Sequence, residues 1–208
     1  MYEYHKTGST WDGSAAVYAH VFRALEGIPK DARVLDAGCG NGYLSSLLAE
    51  RGFESHGADP SETGIALARK TYPLAHFTCM DLTEGDLPQG SFEAVTCVEV
   101  IEHVYAPRLL LSSLFKALRP GGKLVLTTPY HGYAKNLALA MSGRFDQHFN
   151  PLWDHGHIKF FSRRTLGTAI RETGFEQVKI CGIGRVPALW KTMLATARRP
   201  EIPTSTHF

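Results

Sequence analysis

The stretch that decides the fold is "VLDAGCGNGYLS", residues 34–45. An apolar run, Val34–Leu35, leads into three glycines at Gly38, Gly40 and Gly42, and a helix-prone run follows from Tyr43. Glycine between a strand and a helix lets the backbone turn tightly and lets a ligand come close. A dinucleotide fold wants G-x-G-x-x-G. From Gly38 the third position is Tyr43, and from Gly40 it is Ser45, so the pattern fails in both registers. Asp36 stands two residues before the first glycine, where it would repel a pyrophosphate and tolerate a cation. A ligand such as S-adenosylmethionine, with its sulfonium and α-ammonium, suits that charge.

Outward from this loop, strands alternate with helices. Expected strands are 32–38, 53–59, 76–82, 92–100, 123–129 and 175–184. Expected helices are 14–26, 43–52 closed by Gly52, 60–70 with Pro60 near its start, 107–122 stopped by Pro120, and 162–174. Such alternation predicts an α/β protein: a Rossmann-like, doubly wound, mostly parallel sheet in a single domain covered on both faces. The domain is expected over 1–196, with 130–160 as a lid over an acceptor pocket and 197–208 as a disordered tail. The lid run "AKNLALAMSGRF" (134–145) is apolar and helix-prone, which fits a packed lid helix or an interfacial helix touching a membrane surface.

Composition supports a soluble globular chain of 208 residues, 44% hydrophobic and 20% charged. No apolar run approaches a membrane span, and "MYEYHKTGST" lacks the apolar core of a signal peptide. Cys39, Cys79, Cys97 and Cys181 form no CxxC pair and read as reduced thiols of a cytoplasmic protein, three of them buried on strands. The charge is uneven. Residues 1–105 carry 7 Lys and Arg against 15 Asp and Glu, and residues 106–208 carry 15 against 5. The basic half is either a solvated face or a surface for something anionic.

"VLDAGCGNG" resembles the first motif of the class I S-adenosylmethionine-dependent methyltransferases, and the resemblance extends over about 30–182. It implies S-adenosyl-L-methionine as cofactor, bound by Asp36, Gly38, Gly40 and Gly42. Asp59, followed by Pro60, falls at that family's ribose-binding acid; a carboxylate can accept from both ribose hydroxyls. Asp81 and Leu82 match the adenine-flanking position. "LRPGGKLVLTTP" matches the segment through the fifth strand. Alternatively, Asp59 and Asp81 cap helices or form turns.

The fourth strand ends in "VEVIEHV" (98–104), which puts Glu99, Glu102 and His103 where such folds bind ligands. Three readings stand: Glu99 touches the cofactor while Glu102 and His103 brace the loop; His103, with Glu102, acts as general base; or the group holds Mg²⁺ or another divalent metal. The pattern E-x-x-E-H resembles the ubiquinone-biosynthesis O-methyltransferases and the 2′-O-methyltransferases of small-RNA 3′ ends. In both, a later histidine follows. Here that implies a metal set of Glu99, Glu102, His103 and His157, with His155 as second choice.

The expected activity is therefore O-methylation of a small hydroxylated, aromatic or lipophilic acceptor. RNA 3′-terminal 2′-O-methylation is the alternative, drawing on Lys159, Arg163, Arg164 and Arg171. A non-catalytic cofactor-binding partner protein is the alternative of another class. Tyr2, Tyr4 and Trp11 are expected over the cofactor or packed at the surface.

Overall fold

The computed structural model describes residues 6–8, 14–84, 87–154 and 156–201. Seven strands form one sheet: β1 (Arg33–Ala37), β2 (Glu54–Asp59), β3 (His76–Cys79), β4 (Phe92–Val98), β5 (Leu118–Pro129), β6 (Glu176–Ile183) and β7 (Thr192–Arg198). The helices are α1 (Ser14–Ala24), α2 (Tyr43–Ala49), α3 (Glu62–Thr71), α4 (Pro107–Ala117), α5 (Tyr133–Met141), α6 (Phe145–His148) and α7 (Arg163–Glu172). The strand order is β3-β2-β1-β4-β5-β7-β6. Strands β1 to β5 pair in parallel, and β7 pairs antiparallel with β5 and β6. The expected doubly wound, mostly parallel α/β fold is what the chain adopts.

Period-2 alternation builds two cores, one on each face of the sheet. Leu35, Val95, Leu124 and Leu126 point to the face covered by α4 and α7, where Leu110, Leu114, Leu166 and Ile170 meet them. Their chain neighbours Val34, Ala94 and Val125 point to the other face, against Val17, Val21, Leu44 and Leu48 of α1 and α2. Leu110, Leu114, Leu166 and Ile170 are fully buried, so truncating any one to alanine costs about 2–5 kcal/mol. The N-terminus of α7 is fixed by a capping box between Ser162 and Thr165.

Several element boundaries differ from expectation. The fourth helix ends at Ala117, not 122, because Leu118 turns extended and already pairs with Phe92. The third helix begins at Glu62. Ser61 caps it through Gly64 N, and Pro60 lies outside. β7 was not foreseen; it inserts between β5 and β6, and Arg198 still pairs with Lys123, so the sheet runs past the expected boundary at 196. The stretch 130–160 holds α5 and α6, with α5 inside the helix-prone run. Of the three strand cysteines only Cys97 is buried; Cys79 and Cys181 are exposed because β3 and β6 are the edge strands. No described helix is long and apolar enough to cross a membrane.

Candidate active site

β1 sits between β2 and β4, where the winding of the sheet reverses, the place at which open α/β sheets bind ligands. The glycine loop fills this point. Gly38, Gly40 and Gly42 take φ of 81°, 53° and 82°. A Cβ on Gly38 would overlap Val100, and one on Gly42 would lie 2.7 Å from Ala68 and Phe77. Glycine is therefore required twice over, by conformation and by space. Gly38 N and Cys39 N donate to Ala58 O, and Asn41 Nδ2 donates to Lys6 O and Gly8 O, which ties the N-terminal segment to the loop.

Asp36 is buried beneath the loop. Its carboxylate accepts from Ser45 Oγ at 2.7 Å and Thr96 Oγ1 at 3.1 Å, bracing α2 and β4. Burial pushes its pKa up to about 6 despite those hydroxyls. Asp59 accepts from Gly40 N at 2.9 Å and Ser61 N at 2.8 Å, one on each oxygen. Each oxygen keeps a second lone pair, so the acid can still receive two hydroxyls. Burial raises its pKa as well. Asp81 is exposed and bound to Thr83 N and Oγ1, which hold its carboxyl below the usual range. Leu82 differs from expectation: its side chain is buried in the core with Leu87 and Phe92, and Met80 is the half-buried neighbour. Pro60 is exposed at the end of β2. The loop 34–45 contains no Lys or Arg, and Asp36, Asp59 and Glu99 converge around it, which fits a cationic ligand with a diol.

The second half of the site lies at the ends of β4 and β5. Glu99 holds φ of 54°, a strained value for a non-glycine residue, with its backbone N donating to Thr127 O and Oγ1. Its Oε1 accepts from Thr192 Oγ1 at 2.7 Å. Glu102 is fully buried; Oε2 accepts from Thr128 Oγ1 at 2.9 Å, while Oε1 has no partner. Burial, and then the Glu99 charge, push its pKa well up. The Glu102 carbonyl accepts from Ile158 N and Lys159 N, so the segment carrying His157 docks onto the loop after β4.

His157 Nε2 comes to 4.0 Å from Glu102 Oε1, and the His103 ring lies edge-on at 4.8 Å from the His157 ring. Burial, then the nearby His103, lower the His157 pKa to about 4, so its imidazole is neutral. Ligand atoms of Glu102, His103 and His157 all lie within 4.8 Å of one another. The structure thus gathers three of the four expected ligands; Glu99 is turned toward Thr192. His155 and the aromatics Tyr2, Tyr4 and Trp11 lie outside the described residues. An unpartnered buried carboxylate oxygen beside two imidazoles is a donor set that fits a divalent cation.

Sequence reasoning missed the residues above this group. Lys135 of α5 is 5% exposed and donates to Tyr130 O at 2.7 Å. His131 is buried; its ring interacts with the Asn136 side chain, but neither its nitrogens nor Asn136 Oδ1 make a hydrogen bond of full geometry. Phe149 and Phe160 pack on the His131 ring. The available signal was a lysine inside the apolar run 134–145.

A family profile described as "Methyltransferase domain" matches residues 14–180. The ubiquinone biosynthesis O-methyltransferase of Idiomarina loihiensis is 31% identical over 156 residues, 73% of this chain and 64% of that protein. Its counterpart from Pseudomonas aeruginosa strain LESB58 is 31% identical over 73% of this chain and 67% of its own length. The chain therefore spans about two thirds of these curated relatives. Among solved structures, the phosphoethanolamine N-methyltransferase 2 of Haemonchus contortus in complex with S-adenosyl-L-methionine superposes with a TM-score of 0.72 at 16% identity. That match covers 89% of this chain and 52% of the other, and shows a common fold.

Proposed function

The chain belongs to the methyltransferase-domain family of S-adenosylmethionine-dependent enzymes, and from that premise we propose that it methylates a hydroxyl oxygen on a small acceptor. The observation that carries this reading is the cluster of buried Glu102, half-buried His157 and exposed His103, set beside the glycine loop through the Val100–Gly38 contact. In this reading the glycine loop and Asp59 hold the nucleoside of the cofactor, and Asp36 and Glu99 supply negative potential toward its cationic end.

Methyl transfer is a single displacement. The acceptor oxygen forms a bond to the methyl carbon as the carbon–sulfur bond breaks, and the hydroxyl proton must leave. Glu102 and the adjacent imidazole of His103 are the groups in place to accept that proton. A divalent cation held by Glu102, His103 and His157 would act as Lewis acid and lower the pKa of the hydroxyl bound to it. His157, kept neutral by burial, is in the form such a ligand requires.

A small aromatic or lipophilic acceptor agrees with the surroundings. Trp153 edges both imidazoles, and Tyr133, Leu137 and Met141 of α5 turn outward with Phe145. That apolar outer face supports peripheral contact with a lipid surface, where such an acceptor would be met. The free cysteines agree with a cytoplasmic setting. The RNA reading gains less support: Arg163 donates to Ile180 O and lies over Trp190, and Lys159 lies over Tyr105, so these cations are engaged within the fold. A methyl-transfer screen over catechols, phenols, carboxylic acids and short RNA, with Mg²⁺ and with chelator, tests the proposal. Turnover on catechols that chelator abolishes is the expected result. Transfer to RNA alone would replace the acceptor class, and turnover unchanged by chelator would remove the metal.

A further inference from the structure

α5 is inverted relative to an ordinary surface helix. Its fully buried residue is Lys135, while Tyr133, Leu137 and Met141 face outward. Burying an ammonium is costly unless it is paired. Among the described residues its hydrogen-bond partner is one neutral carbonyl, Tyr130 O, which leaves two of its three donors unused. Burial, and then the charge of Arg185, lower its pKa to about 8.

Two further features mark the same place. His131 is 6% exposed, and neither ring nitrogen makes a hydrogen bond of full geometry; its ring interacts with the Asn136 side chain, whose amide oxygen also lacks one. Their neighbours are built to hold the histidine in position: its backbone N donates to Phe161 O, and Phe149 and Phe160 pack on its ring. Positive charge gathers there. Lys135 acts electrostatically on His131, His148 and His157, and Arg185, on the exposed turn between β6 and β7, acts on Lys135 and His148.

Glu99 opposes the Lys135 charge electrostatically but gives it no hydrogen bond. Its carboxylate is bound to Thr192, and Glu102 faces the imidazoles. A bound cofactor with a sulfonium and an ammonium adds further positive charge. What would take up the unused Lys135 donors is an anion from the acceptor itself.

We propose that the acceptor carries an anionic group, a carboxylate or a phosphate, received by Lys135 together with His131, with Arg185 drawing it in from the surface. Neutral His131 has one N–H to donate and Lys135 has two unused, so the two side chains present three donors to one anion. The methylated hydroxyl then points toward Glu102 and His103, which fixes which oxygen reacts. This inference rests on the reading of the site as an acceptor pocket.

The test titrates benzoate and inorganic phosphate into the full chain, with and without S-adenosylhomocysteine, using calorimetry. One of the two anions binds saturably at one per chain, and which one it is separates a carboxylate from a phosphate acceptor. Benzyl alcohol binds at least tenfold more weakly than benzoate if the carboxylate is the group. Lys135→Met weakens the anion at least tenfold and leaves S-adenosylhomocysteine affinity within twofold. Saturable binding of neither anion, or undiminished binding by Lys135→Met, overturns the proposal. Should Lys135→Met not fold, Arg185→Gln on the exposed turn serves instead: about threefold weaker anion binding is expected, and no change overturns the proposal. Failure of S-adenosylhomocysteine to bind would remove the methyl-transfer reading by itself, because the anion titrations without it still report on Lys135.

Discussion

The two halves of the site are finished to different degrees. Around the glycine loop, Asp36 accepts from two hydroxyls, Asp59 from two backbone amides, and Asn41 bridges to the N-terminal segment. Beyond β4 and β5, the pattern reverses. Of the five unpartnered buried side-chain atoms among the described residues, four lie there: Glu102 Oε1, both His131 nitrogens and Asn136 Oδ1. The fifth, Ser55 Oγ, is on β2. Buried polar atoms are ordinarily satisfied, so orphans concentrated in one place mark where a ligand completes the structure. In the proposed reading the loop is the cofactor's cradle and these atoms face the acceptor.

That contrast can be broken most forcefully at Gly38. Gly38→Ala puts a Cβ into Val100 at a φ of 81°, so S-adenosylhomocysteine affinity should fall at least 100-fold, with about 2–4 kcal/mol of stability lost. Calorimetry and thermal melting measure both. Glu102→Gln attacks the other half. It keeps the Thr128 contact and removes the proton acceptor, so kcat on a responsive acceptor should fall about 100-fold or more. A kcat within threefold of the unaltered protein would leave Glu102 only a bracing role.

Asp36 sharpens the comparison through pH. Its folded pKa of about 6 lies above the ordinary 3.8, so between these values the folded state keeps a proton that the unfolded chain releases. Its contribution to stability is therefore fully present below about pH 4 and declines as pH rises toward 6, by about 3 kcal/mol in the ligand-free protein. Asp36→Asn should flatten that slope in chemical denaturation followed across pH 4–7. Ser162→Ala is the smallest change. It removes the cap of α7, away from the glycine loop, and should cost about 1 kcal/mol while leaving cofactor affinity unchanged.

The same division governs what the sequence discloses. Gly38, Gly40 and Gly42 must be glycine for local reasons, and the strand and helix flanking them are short-range patterns, so β1, α2 and β2 are legible from residues alone. β7 is not. Thr192–Ala195 are buried in succession between two neighbours, so no alternation shows, and its antiparallel pairing with β5 joins residues far apart in the chain. Lys135 was hidden for a related reason: a lone lysine in an apolar helix reads as its solvent side until the fold turns that helix over. Glu102, His103 and His157 were legible as a set through the family resemblance. Glu99 left it because Thr192, on the unforeseen strand, takes its carboxylate.

The most direct measurement is calorimetric titration of S-adenosylhomocysteine into the unaltered chain, Asp59→Ala and Glu102→Gln. One molecule should bind the unaltered chain, tenfold or more weakly after Asp59→Ala and within threefold after Glu102→Gln. No binding by the unaltered chain, or equal losses in both variants, would contradict a cofactor cradle separate from an acceptor pocket.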